Sequence, residues 1–354
     1  MSSTRAANTH GLGRSSAEPR RVPTRRVSFD EALQEVPRYF AQDGDLISGH
    51  LIAALSSVFP EGEDFFVRSV RDVRSQLEDP ELKRQVAGFI GQESIHGREH
   101  RAFNERLAEL GYPTRIFDRI TKRGLATRYK VASAKSNLAG TAALEHFTAT
   151  LAEHVLTCEE TRQQMGHPVV RELFEWHALE ESEHKAVAFD VYRAVGGTER
   201  MRIWTMKAAR FSFVLFMGLA VLGSVAGDKR TYRPGELRAS WKRVRSSPIL
   251  NRALWSQLRE YDRRGFHPND RDTDKLVERW RIELFGDEGS LNSKLAGACL
   301  LYTSDAADEL LCVDLGGRRL FKKKKNKKEQ DNTLHYCTLL SAHVHRLYHT
   351  RSRP

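Results

Sequence analysis

Apolar residues recur at three- and four-residue spacing from about residue 44 to residue 285, so the chain between its two flanks reads as almost wholly helical. Residues 44 to 76 form a first helical region, where Pro60 and Gly62 predict a kink or a restart. A second helix is expected from Pro80 to Gly111, followed by a long connection through residues 112–130. The third spans residues 136–162 and the fourth residues 167–195. Phe211 to Gly227 is a run of 17 residues without a charge, just short of the roughly 20 that usually cross a bilayer. It reads as a buried covering helix, with peripheral membrane contact as the alternative. Amphipathic segments at residues 235–245 and 273–285 close the pattern.

Single polar residues on these apolar faces carry the chemistry. Glu-x-x-His occurs at Glu93 and His96 and again at Glu181 and His184. Residues three apart share a helix face, so one turn can present a carboxylate and an imidazole to the same ion. Glu63 lies 30 residues before Glu93, and Glu145 lies 36 before Glu181, which is hairpin distance in each case. Two glutamates plus two Glu-x-x-His pairs make the ligand set of a dinuclear site in a ferritin-like four-helix bundle, here with additional C-terminal helices. Glu61, His146 and Glu153 compete with Glu63 and Glu145 but point elsewhere, and Glu180 and Glu183 read as solvated neighbours of Glu181. His100 lies one turn beyond His96 and His177 one turn before Glu181. If the second and fourth helices are antiparallel, both histidines fall at one end of the metal pair, as a catalytic proton relay or as ordinary buried histidines.

Bulk composition misleads. The 354 residues carry a formal charge of +11, yet residues 1–26 and 299–354 hold +5 each and residues 27–298 only +1. No basic stripe interleaved with aromatics marks the central region, which speaks against nucleic acid as a partner. Three of the four cysteines fall in the tail and only Cys158 in the centre, which fits a reducing compartment. Residues 1–26 read as a disordered basic leader without the apolar run of a secretory signal, residues 27–298 as the helical metal-binding domain. Residues 299–354 lack periodicity and contain a lysine run like a translated poly-A tract, so they read as non-native adapter read-through or a disordered basic tail that touches acidic lipid or RNA.

The motifs FPEGEDFF (59–66), FIGQESIHGREHRAFNE (89–105), ALEHFTA (143–149), WHALEESEHKAVAFDVY (176–192) and GFHPNDRDT (265–273) together resemble the bacterial proteins called predicted metal-dependent hydrolases. The likeness covers about Val27 to Phe285 and implies a cytoplasmic or membrane-associated metalloenzyme. Four carboxylates and two imidazoles suit two divalent ions, with iron the best match and manganese or zinc as alternatives. Such a pair supports hydrolysis by activating water. With iron it supports oxygen chemistry of the hydroxylase or desaturase kind, and a third reading is non-catalytic metal binding. The small residues around Glu145 and the apolar covering helix point to a small hydrophobic or lipid-like substrate.

Overall fold

The computed structural model describes residues 22–295, all within one compact unit. The leader through residue 21 and the basic tail from residue 299 lie outside the described residues. The protein is all-α: the described residues contain no strand beyond one isolated bridge between Val27 and Leu295. The helices are α1 (Leu46–Arg71), α2 (Pro80–Glu109), α3 (Thr114–Val131), α4 (Ala134–Thr157), α5 (Glu159–Gln164), α6 (Pro168–His184), α7 (Val187–Ala194), α8 (Glu199–Ala226), α9 (Glu236–Arg245), α10 (Arg252–Glu260) and α11 (Asp274–Phe285). Their starts follow local chemistry. Asp45, Asp79, Ser133 and Thr198 cap the first turns of α1, α2, α4 and α8 with side-chain oxygens, and Pro80 and Pro168 open α2 and α6, where a missing N–H costs nothing.

Helices α1, α2, α4 and α6 surround the interior, and the apolar core falls into two main clusters that meet along them. One takes Ala53 of α1, Phe103 and Leu107 of α2, Leu156 of α4 and Leu173 and Trp176 of α6. The other takes Phe66 and Val70 of α1, Val86 and Phe89 of α2, Leu138 and Ala142 of α4 and Val187 and Val191 of α7. The order of these residues makes α1 antiparallel to α2 and α4 antiparallel to α6, with α2 and α4 pointing the same way. The connection read from the sequence between them is α3, which carries the chain back along the bundle and packs on α1.

Three sequence expectations fail locally. The third predicted helix, residues 136–162, stops at Thr157, where Cys158 turns extended, and resumes as α5. Pro60 does not break α1, which runs unbroken from Leu46 to Arg71. Proline removes the N–H that would bond the Ser56 carbonyl, and Asn104 Nδ2 of α2 donates to that oxygen instead at 3.0 Å. The fourth predicted helix is not continuous: it ends at His184 and restarts at Val187, and Lys185 is drawn aside to the Arg271 carbonyl and Thr273 Oγ1.

The folded chain also begins earlier than residue 27. Val22 to Arg26 cross α2 where Gly88 and Gly91 leave room; a Cβ at either would lie 2.2 Å from Val22 O or Thr24 Oγ1. At the far end of α8, Asp228 accepts hydrogen bonds from the Arg230 backbone N–H, Arg38 and Tyr39, and lies 3.3 Å from His50 Nε2. Burial alone would raise its pKa, but these donors and the Arg38 charge hold it down at about 2. Because the folded pKa is depressed, this contribution is complete above the ordinary aspartate range and is lost as pH falls from about 4 toward 2. Asp228→Asn should lower stability by about 2 kcal/mol at pH 7 and flatten the acid limb between pH 4 and 2 in urea titrations.

Candidate metal centre

Each of the four inner helices brings one turn of polar side chains to the level where the two apolar clusters meet. Glu63, Glu93, His96, Glu145, Glu181 and His184 converge there, each with at most 3% of its surface exposed. His184 Nε2 lies 3.1 Å from Glu93 Oε1, 3.4 Å from Glu145 Oε2 and 3.6 Å from Glu181 Oε1. His96 Nδ1 lies 3.7 Å from Glu93 and 3.6 Å from Glu181. None of these approaches is aligned as a hydrogen bond. Both oxygens of Glu63, Glu93 and Glu145, with His96 Nδ1 and His184 Nε2, are buried without any partner. Buried polar atoms are normally paired, and carboxylate oxygens and imidazole nitrogens turned on one another are left for something that accepts lone pairs. The donor set fits a metal ion.

The imidazoles are aimed from behind. Gln92 Oε1 holds His184 Nδ1 at 2.8 Å, and Glu180 Oε2 holds His96 Nε2 at 3.0 Å, so the free nitrogen of each ring faces the carboxylates. Glu180 and Glu183 are therefore not solvated neighbours: both are buried, and Arg25 donates to Glu180 at 3.0 Å and to both oxygens of Glu183 at 2.8 Å. Arg281 adds a contact to Glu183, and Gln92 bridges Glu183 and the Pro23 carbonyl. Sequence reading missed this layer because Arg25 lies among residues read as the leader and Arg281 lies 98 positions from Glu183.

His100 and His177 meet, with His100 Nε2 hydrogen-bonded to His177 Nδ1 at 2.7 Å. Ser56 Oγ lies 2.9 Å from His100 Nδ1, and His177 Nε2 lies 3.0 Å from Glu181 Oε1 and 3.9 Å from Glu63 Oε1. His177 thus reaches the carboxylates themselves, closer than a residue one turn removed was expected to come. Thr148 Oγ1, another addition, donates to Glu181 Oε2. The competing candidates are absent from the layer: Glu61 pairs with Lys122, Glu153 with Arg271, and His146 stacks near Tyr261 and Phe266.

An apolar cavity reaches this layer. Its walls include Leu51, Leu55 and Phe59 of α1, Leu151 and Val155 of α4 and Phe174 of α6, together with His177, Glu181 and Thr148.

Electrostatics show how far the layer is from self-sufficient. Burial, then the neighbouring carboxylates, drives Glu63 well above the usual carboxylate range, Glu93 up to about 8 and Glu145 up to about 7. Burial also opposes charge on Glu181, but His184 and His177 together outweigh it and hold that carboxyl well below its ordinary value. His96 and His100 are pushed well below theirs by burial, then by His177. Only a concentrated positive charge would let every carboxylate ionise together.

A family model described as predicted metal-dependent hydrolase matches residues 23–272. No curated protein and no solved structure matches the chain.

Glu93 and Glu145 take up protons that the unfolded chain releases above about pH 4.5, so the metal-free protein should lose stability as pH rises from 4.5 through 8. Glu93→Gln should therefore stabilise the metal-free protein by about 2–3 kcal/mol at pH 7 while sharply lowering bound metal, as read by denaturation and elemental analysis. Arg25→Met acts oppositely: it leaves Glu180 without its arginine and Glu183 with Arg281 alone, and should cost about 3–5 kcal/mol. Unchanged urea midpoints would show that the Arg25 cluster is not needed for stability.

Proposed function

Because the chain belongs to the family of predicted metal-dependent hydrolases, we propose that its carboxylate layer binds two divalent metal ions and hydrolyses a small molecule with a long apolar part. The observation that carries this reading is the set of buried, unpartnered carboxylate oxygens and imidazole nitrogens. Of four overlapping donor groups among the described residues, Glu63, Glu93 and His96 form one and Glu93, Glu181 and His184 another, with Glu145 beside His184; His177 belongs to the other two, with Glu63 and His100 and with His96 and Glu181. Four carboxylates and two divalent ions cancel in charge, which removes the repulsion that raises Glu63, Glu93 and Glu145. The oxygen-rich donor set suits iron or manganese, with zinc a usable substitute. Bound there, such ions supply Lewis acidity, lowering the pKa of water and stabilising charge on a leaving oxygen.

The rest of the reaction is assigned to the chain itself. The cavity walls hold the apolar part of the substrate and exclude bulk water, so the reacting end meets Glu181 and His177. A single set of tautomers satisfies the histidine chain: Ser56 donates to His100 Nδ1, His100 Nε2–H to His177 Nδ1 and His177 Nε2–H to Glu181. Because all three donors point toward Glu181, a shift along them passes a proton to Glu181 and the return shift carries one back toward Ser56, which makes His177 and His100 a relay for the proton exchanged in hydrolysis. The apolar cavity also favours a second reading, oxygen-dependent oxidation of a hydrocarbon chain by the iron form. A reactive cavity of this kind has no use in metal storage.

Zinc- or manganese-reconstituted protein should turn over long-chain acyl esters or amides without dioxygen. Dioxygen consumption by reduced iron protein, with no anaerobic turnover of any ester or amide, would favour the second reading. His177→Gln should lower kcat by about 10²-fold with metal content preserved. Wild-type rates from pH 6 to 8 in that variant would remove the relay.

A further inference from the structure

Helix α8 is apolar on both sides. Met206, Met217, Ala220 and Ser224 face the bundle and are buried. At 100° per residue, Trp204, Phe211, Leu215, Leu219 and Leu222 fall within an arc of about 80° on the opposite side. All five are at least half exposed, Phe211 at 71% and Leu222 at 68%. This stripe runs for about 27 Å. The helix is long and apolar enough to cross a membrane, and only 22% of its most apolar stretch is buried. It is nevertheless fastened to the bundle along its length. Arg202 is fully buried and donates to the Tyr261 and Arg263 carbonyls, Arg210 pairs with Asp262, and Ser224 is hydrogen-bonded to His50 at 2.6 Å. Spanning a bilayer would break all of these contacts, whereas lying flat on one breaks none.

Near the C-terminal end of α8, Val221 and Val225 share one small apolar cluster with Val244 of α9 and with Leu46 and Ile47 of α1. One side of α9 exposes Leu237 and Trp241. The adjacent stripe carries Arg238, Lys242 and Arg245, all exposed and without an ion pair among the described residues. An exposed apolar stripe next to an aromatic anchor and unneutralised cations matches the chemistry of an anionic lipid surface: acyl chains for the first, the interfacial zone for the second, phosphates for the third.

We propose that the outward sides of α8 and α9 dock the protein on the face of an anionic bilayer, with α8 in the plane of the interface. Val244 and Ile249, on α9 and the turn after it, also form part of the wall of the apolar cavity. A molecule dissolved in the bilayer therefore enters without crossing water; that role as an entrance rests on the proposed function, while the docking does not.

Flotation of the full chain with phosphatidylcholine vesicles, with and without phosphatidylglycerol, tests it. The wild type should float with the anionic vesicles and be released by salt. Leu219→Glu with Leu222→Glu should lose at least tenfold in vesicle affinity, and the milder Phe211→Ser and Arg245→Gln severalfold, with bound metal and melting unchanged. The metal measurement separates failure of docking from failure of the metal centre. Equal flotation of the α8 variants and the wild type would overturn the proposal and assign binding to another basic segment. So would a wild-type dimer that Leu219→Glu splits, because a second copy would then cover the stripe. A wild type that stays unbound to anionic vesicles also overturns it.

Discussion

Four carboxylates gathered in one dry layer are the constraint around which the rest of this protein is arranged. In a medium that screens charge poorly, each ionised glutamate opposes the next, and burial opposes all of them. The layer interrupts the apolar core in mid-bundle, so hydrophobic packing is divided into two clusters instead of one. Gln92 and Glu180 keep the two ring nitrogens turned inward, and a further ring of charge, Arg25 with Glu180 and Glu183, keeps Glu180 in place. A layer built this way gives up stability for carboxylates and imidazoles held turned toward one another.

What the sequence revealed was whatever depends on spacing along one helix. Glu63, Glu93, His96, Glu145, Glu181 and His184 are separated by intervals that put them on inner faces, and the structure brings all six together. The meeting of His100 and His177 followed from the same reasoning once the direction of two helices was assumed. What escaped were features whose partner lies far away in the chain. Pro60 reads as a helix breaker because nothing local says that Asn104 will take over the Ser56 carbonyl. Glu180 and Glu183 read as solvated because glutamates without a visible cation belong in water, and Arg25 sits 155 residues from Glu180. The break after His184 has the same origin, since the residues that draw Lys185 aside lie more than eighty positions ahead.

Helix α8 shows how one apolar segment supports two incompatible readings. Counting uncharged residues cannot tell a covering helix from an interfacial one. The structure divides the count: one side of α8 belongs to the core, and the other stands outside it beside unpaired cations on α9. Buried Arg202 and Ser224, which a hydropathy profile treats as blemishes, are the contacts that tie the helix to the bundle.

Arg25 has a consequence in time as well as in space. It leaves the ribosome 155 residues before Glu180. At ordinary synthesis rates that is an interval of roughly ten to thirty seconds in which the guanidinium has no acceptor. Until α6 has been made and laid against α2, residues 22–26 have only their contacts with α2 to hold them across Gly88 and Gly91. The first described part of the chain to be translated thus gains its buried charge partners only from the last of the four inner helices.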